Sequence, residues 1–397
     1  MKALTFRSAT AFLTFLVGLG VATAWGLQSS YPVVPPVAVN MSHSPVNGPA
    51  LEMVFVIDTT GSMGGLIEGA KARVWGIVNE VMQSESHPAV SIGLVAYRDH
   101  GDQYVTQVLP LTNDLDKVYS TLMDYRADGG GDTPEDVRRA LADSVGRAGW
   151  SKPSENLSQI IFLVGDAPPH DDYQNEPDTM KTTAEAVQRG MIVNTIQCGQ
   201  IGGTREVWQA IARHGEGQYF SIAQDGGVQA IATPYDDQLG ALATKLGGTY
   251  LAYGGGAGSA GEAYRAGLMA DASEVETKVA TSAKPMARAE RAANKAMNAN
   301  AYVGDLLQSI ENGSVKLADV KAEDLPADLQ KLSPAERKQE IEKRLAARRE
   351  LRAQITTLSK QRDEFITAER KKQGKQSGFD AAVAQALKEQ LARKGIK

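Results

Sequence analysis

Met53-Val54-Phe55-Val56-Ile57-Asp58-Thr59-Thr60-Gly61-Ser62 is an apolar run that stops on an aspartate and turns at once into hydroxyl residues and glycine. Such a run, closed by a turn signal, reads as a β-strand with Asp58 just past its carboxyl end. Ser91–Tyr97, Ile160–Val164, Ile192–Ile196 and Tyr219–Ile222 read the same way, each bounded by Gly, Asp or Pro. Between them apolar residues recur at helical spacing, as in Leu66, Ala70, Val74, Ile77 and Val81. Strand and helix in turn predict βαβ units, and so an α/β fold with a doubly wound, mostly parallel sheet.

In an open parallel sheet, ligand crevices form outside the carboxyl ends of the strands. Asp58 directly follows the first strand, and Asp166 stands one glycine beyond Ile160–Val164. A third piece, Gly129-Gly130-Gly131-Asp132-Thr133-Pro134-Glu135-Asp136, reads as a loop entering a helix at Pro134, which brings Thr133 to the same edge. Asp58, Thr60, Ser62, Thr133 and Asp166 then offer carboxylate and hydroxyl oxygens, with no imidazole or thiol. Oxygen donors suit a hard cation, Mg²⁺ first, with Mn²⁺ or Ca²⁺ as alternatives. Neutral hydroxyls balance little of a dication's charge, so an acidic side chain from a partner could complete its shell. Each piece also has a plain structural reading. Asp-x-Thr-Gly-Ser can be a strand-to-helix turn with an N-cap, and Thr133 the N-cap of its helix with Asp136 in the capping-box place.

Asp58-Thr59-Thr60-Gly61-Ser62 resembles the D-x-[ST]-x-S element of the metal-ion-dependent adhesion site of von Willebrand factor type A (vWA) domains. Thr133 is similar to that site's loop threonine and Asp166 to its second aspartate, in the family's order. The resemblance covers about residues 51–246. Val95-Ala96-Tyr97-Arg98-Asp99, Gly131–Asp136 and Val164-Gly165-Asp166-Ala167-Pro168-Pro169-His170 look like a bacterial group of vWA-containing proteins. The resemblance implies a vWA, Rossmann-like fold and a Mg²⁺-type site at which hydroxyls bind the metal directly and aspartates act largely through water. Thr60 stands where serine is commoner, and Ala167 follows Asp166 where glycine is frequent; neither change removes a ligand.

The chain has 397 residues and 42% apolar content, enough for one sizeable core and an appendage. Lys2 and Arg7, the uncharged run from Ser8 to Ala24 and the small-x-small Ala22-Thr23-Ala24 predict a signal peptide over residues 1–24. An uncleaved N-terminal anchor is the alternative, and either makes the protein exported, periplasmic or secreted. Residues 25–50, rich in proline and serine, read as a tether, and residues 247–261 as a glycine-rich linker. Gly256–Gly261 formally matches a dinucleotide-binding glycine pattern, but no second strand follows to complete a βαβ unit. Residues 262–397 read as helical, with a long helix from about 334 that opens on the capping box Ser333-Pro334-Ala335-Glu336. Leu351, Ile355, Leu358 and Phe365 share one stripe of it, broken by Arg348 and Arg362, as in a coiled coil or a helix packed on one side. Glu340 and Arg344 are spaced for an i,i+4 ion pair.

Net charge is -5, yet residues 331–397 hold 18 Lys+Arg against 9 Asp+Glu, so a basic tail follows an acidic body. Mixed charge, few aromatic residues and export argue against a nucleic-acid partner. The lone Cys198 cannot form an internal disulfide and lies in a strand, where a buried thiol is expected. The five histidines, at 43, 87, 100, 170 and 214, make no H-x-x-x-H pair, so a zinc hydrolase is weakly supported. His170 is expected to frame the crevice without being a ligand, and Asp99, His100 and Asp102 to form a solvated acidic loop. The expected function is non-enzymatic. The vWA domain would capture a partner protein's Asp or Glu through its cation, and the C-terminal helices would dock or form an oligomer. One alternative is a metal-dependent hydrolase using Asp166, His170 and Asp171; another is a scaffold whose C-terminal helices carry the interaction.

Overall fold

Every residue of the strand that ends on Asp58, from Leu51 onward, is buried, so this strand has protein on both faces. A computed structural model describes residues 48–82, 88–222, 231–298, 300–372 and 378–396. The expected leader and most of the tether lie outside the described residues. In chain order the first part comprises β1 (Ala50–Asp58), α1 (Ile67–Met82), β2 (Ala89–Tyr97), β3 (Thr106–Thr112), α2 (Leu115–Asp124) and α3 (Val137–Gly146). It continues through β4 (Leu157–Gly165), α4 (Thr179–Gln188), β5 (Ile192–Cys198), α5 (Thr204–His214) and β6 (Glu216–Ile222).

These strands form one sheet in the order β3-β2-β1-β4-β5-β6. All neighbours pair parallel except β2 and β3. The fold is thus the expected doubly wound, mostly parallel sheet. β3 was not foreseen: it carries Pro110, which an edge strand tolerates because one side of its backbone needs no partner.

Alternate residues of β1 feed different cores. Leu51, Met53, Phe55 and Ile57 meet α1, α2 and residues from the end of the chain, with Phe55 stacked on Phe162 at 5.2 Å. Val54 and Val56 face α3, α4 and α5, including Trp208 and Ile211. Of the predicted α1 stripe, Leu66, Val74, Ile77 and Val81 are buried on the first face.

Beyond β6 the chain is helical: α6 (Asp236–Gly247), α7 (Gly258–Ser282), α8 (Pro285–Met297), α9 (Leu306–Glu311), α10 (Ala327–Gln330), α11 (Pro334–Lys372) and α12 (Gly378–Ala392). The capping box that opens α11 is formed, with Ser333 N–H donating to Glu336 Oε2 at 2.9 Å, and Arg344 reaches Glu340 at 2.9 Å. The stripe of α11 closes on the chain's own helices. Ile355 is buried with Leu239, Leu246 and Ala292, with Leu351 and Leu358 beside it. Arg348 and Arg362, which seemed to break the seam, are part of it: Arg348 makes a bidentate pair with Asp305 at 2.6 and 2.8 Å, and Arg362 reaches Asp236 at 2.8 Å.

The glycine-rich stretch is ordered by a close approach. Helix α7 starts inside it at Gly258, and a Cβ on Gly261 would lie 2.0 Å from the carbonyl oxygen of Gly256. Arg265 Nη1 bonds the carbonyls of Gly254 and Gly256 at 2.7 and 3.2 Å. The helices brace the sheet as well as each other. Val383, Leu387 and Leu391 of α12 join the first core, and Gln390 exchanges side-chain hydrogen bonds with Asn194 of β5. On another side, the buried Arg291 and Lys295 of α8 lie between the half-buried Asp116 of α2 and Glu276 of α7 at 2.5 to 2.9 Å. No helix among the described residues is long and apolar enough to cross a membrane.

Candidate metal centre

The sheet order reverses between β1 and β4, because the chain leaves β1 toward β2 on one side and β4 lies on the other. Crevices open at such switch points. Asp58 ends β1 and Asp166 follows β4, so both carboxylates face this crevice, and Gly165 lets them approach. A Cβ there would meet Tyr97 Oη at 2.3 Å and Asp58 Cβ at 2.9 Å.

Asp58 with Thr60 and Asp166 with Ser62 form two hydrogen-bonded pairs that meet at the hydroxyls. Asp58 Oδ1 accepts from Thr60 N–H at 2.9 Å and from Thr60 Oγ1 at 2.6 Å. Ser62 Oγ donates to Asp166 Oδ1 at 2.9 Å, and the two hydroxyl oxygens are 3.1 Å apart. A hydroxyl has one proton, so with both protons directed at carboxylates the two oxygens turn lone pairs toward each other. Thr133 is exposed in the 131–134 loop and, among the described residues, makes no hydrogen bond to the other four.

The helix expected from Pro134 begins at Val137, and its N-cap is Asp136, which accepts from Arg139 N–H at 2.9 Å. Thr133 is therefore not a cap. The displacement has a cause: Glu135 is pinned by a bridge to Pro169, donating its N–H to Pro168 and accepting from His170 N–H at 3.0 Å. That bridge buries the Glu135 carboxyl beside Thr60 and Asp58, a site residue the sequence reading passed over. Local sequence carries no sign of it, since the burial depends on the loop after β4.

Asp58 Oδ2, Asp166 Oδ2 and Glu135 Oε2 are buried with no hydrogen-bond partner among the described residues. Burial, reinforced by the Asp166 charge, pushes the Asp58 carboxyl up to about 7. Burial and then the Asp58 charge push Glu135 up to about 9, and burial raises Asp166. Three acids that each resist ionisation, beside two inward-turned hydroxyl oxygens, are a donor set short of positive charge. A hard dication fits it.

The surroundings hold this geometry. Gly61 N–H donates to Gly129 O and Asp128 N–H to Thr59 O, both at 3.0 Å, clamping the two loops together. Gly130, at a φ of 69°, donates its N–H to Asp102 Oδ2 at 2.9 Å. Arg98 is buried and donates to the carbonyls of Thr59 and Arg126. The expected solvated loop at Asp99, His100 and Asp102 is thus corrected: Asp99 is buried and accepts from Tyr173 Oη at 2.9 Å, and Asp102 is a structural clamp. His170 is buried, with Nδ1 2.8 Å from Asp172 Oδ1. Asp171, assigned a part in the hydrolytic alternative, is exposed. Cys198 is buried as expected.

The sequence model of the von Willebrand factor A domain matches residues 52–234. The chain is similar to mouse von Willebrand factor A domain-containing protein 7, 31% identical over 207 residues, covering 49% of this chain and 22% of that protein. It is 35% identical to the human protein of the same name over 125 residues, covering 32% of this chain and 13% of that protein. The chain thus spans less than a quarter of the length of these relatives. The solved VWA domain of SpRpn10 aligns over 47% of this chain and 100% of that chain, at 18% identity and a TM-score of 0.34. vWA domains are commonly protein-interaction modules and often bind a divalent metal. With its switch-point sheet and matched segment, this chain is a vWA domain-containing protein.

Proposed function

We propose that the protein is a non-enzymatic binding module that holds a Mg²⁺-type cation through Asp58, Thr60, Ser62, Thr133 and Asp166 and uses it to capture an Asp or Glu of a partner protein. The observation that carries this reading is a set of buried carboxylate oxygens on three neighbouring acids, Asp58 Oδ2, Asp166 Oδ2 and Glu135 Oε2, that have no hydrogen-bond partner among the described residues. A buried charged group without a partner is costly, and a cation removes that cost. In this reading Thr133, exposed on its loop, supplies a further hydroxyl, and the buried Glu135 adds a carboxylate to the set. The bound dication remains electrophilic because the hydroxyls carry no charge, so it favours a further anionic oxygen. We place this activity outside the cytoplasm, on the strength of the N-terminal sequence. The C-terminal helices, packed on the sheet and on α2, act in this reading as a brace that holds the crevice edge in shape.

Isothermal titration of the full chain with Mg²⁺, alongside Asp58→Ala, tests the cation. Wild type should bind and the variant should not; equal behaviour of the two removes the proposal. Affinity capture from the native compartment with and without EDTA then tests the partner. Retention that ignores both EDTA and Asp58→Ala refutes capture through the cation.

A further inference from the structure

We propose that Asp99, Asp132 and His170 form a second cation site on the same sheet edge, for a transition-metal dication of the Mn²⁺ and Zn²⁺ class. It goes beyond the cation at Asp58 and does not rest on it. One ligand atom from each of the three residues lies within 4.8 Å of the others. His170 Nε2 stands 3.4 Å from Asp99 Oδ2 and 3.9 Å from Asp132 Oδ1.

What marks this as a site, beyond a cluster of acids, is the state of His170. The residue is 5% exposed, and among the described residues its Nε2 has no hydrogen-bond partner although it lies near two carboxylates. Its other ring nitrogen, Nδ1, is 2.8 Å from Asp172 Oδ1. In the tautomer that carries its proton on Nδ1, His170 donates that hydrogen bond to the Asp172 carboxylate, and the Nε2 lone pair lies beside Asp99 and Asp132. This is the arrangement in which a carboxylate orients a metal-binding imidazole. Asp99 is fixed in turn: both its carboxylate oxygens accept from Tyr173 Oη at 2.9 Å. The Tyr173 ring stacks on His170 at 4.1 Å and sets the plane of the imidazole.

The donor set separates this place from the Asp58 crevice. One imidazole nitrogen with two carboxylates suits borderline transition dications, whereas oxygen alone suits Mg²⁺. The neighbouring group His100, Asp136 and Glu176 is a weaker candidate. His100 is exposed, Asp136 caps α3, and Arg139 already neutralises Glu176 at 2.7 Å. Asp132 is exposed and so leaves an entry path for the ion.

The test uses the full chain, stripped with EDTA and loaded with Co²⁺. A Co²⁺-bound His170 keeps its Nδ1 proton, so wild type should give one paramagnetically shifted, solvent-exchangeable imidazole N–H signal. His170→Gln should abolish the signal, and Asp58→Asn should leave it. Zn²⁺ titration should show the site lost in His170→Gln and weakened about 10- to 100-fold in Asp172→Asn, as expected for a residue that orients a ligand. Circular dichroism and Mg²⁺ titration of His170→Gln establish that the variant is folded. Absence of the shifted signal in wild type, or its persistence in a folded His170→Gln, overturns the proposal, as does Zn²⁺ binding equal in the two proteins.

Discussion

Asp58→Asn should stabilise the metal-free protein at neutral pH, the reverse of what substituting a fully buried residue ordinarily does. The asparagine Oδ1 keeps the two bonds that Thr60 donates to Asp58 Oδ1. Its amide group puts a donor in place of Asp58 Oδ2, next to the acids Asp166 and Glu135, whose Oδ2 and Oε2 have no hydrogen-bond partner among the described residues. The sign in wild type follows from linkage. A folded-state carboxyl raised from 3.8 to about 7 binds more protons than the unfolded chain between those values. The stability that it contributes is therefore complete below pH 4 and lost as pH rises through 7. At 1.36 kcal/mol per pH unit, the loss is on the order of 4 kcal/mol by pH 8. Asparagine does not titrate, so EDTA-treated wild type and variant should agree near pH 4 and diverge by up to that amount at pH 8. Mg²⁺ at 100 times its Kd should restore about 2.7 kcal/mol to wild type alone. Urea denaturation at both pH values, with and without Mg²⁺, reads all of this. An EDTA-treated variant less stable than wild type at pH 8 refutes the charge-deficit account of the crevice.

Glu135→Gln should likewise raise metal-free stability above neutral pH, since the Glu135 carboxyl is pushed up to about 9, and should weaken Mg²⁺ binding about tenfold by calorimetry. Gly165→Ala should cost about 1–3 kcal/mol in denaturant and abolish the Mg²⁺ response, because its Cβ would meet Tyr97 Oη and Asp58. Arg348→Ala should cost about 3–5 kcal/mol, because it leaves Asp305 buried and unpaired. The double variant Arg348→Met, Asp305→Asn should recover much of that loss; denaturation curves for the single and double variants check both.

Sequence by itself determined the elements whose signals are local. Five of the six strands, the reversal point marked by Asp58 and Asp166, and the cap of α11 at Ser333 were legible because apolar runs, turn residues and capping spacing act within a few residues. The meeting of Asp58, Thr60, Ser62 and Asp166 at one sheet edge was legible for the same reason, as strand ends converge in any doubly wound sheet. Tertiary structure alone decided which polar residues are buried and what they meet. Asp136, placed by local spacing in a capping box behind Thr133, is itself the N-cap, and Glu135 is buried, because a bridge to Pro169 moves the helix start to Val137. Arg348 and Arg362 look like breaks in an apolar stripe until Asp305 and Asp236, 43 and 126 residues away in sequence, arrive to pair with them. His170 shows no ligand spacing in the chain, yet the fold turns its free nitrogen toward Asp99 and Asp132. A charged residue reads as exposed when only its neighbours are known. Whether burying it is tolerable depends on a partner that long-range packing alone supplies.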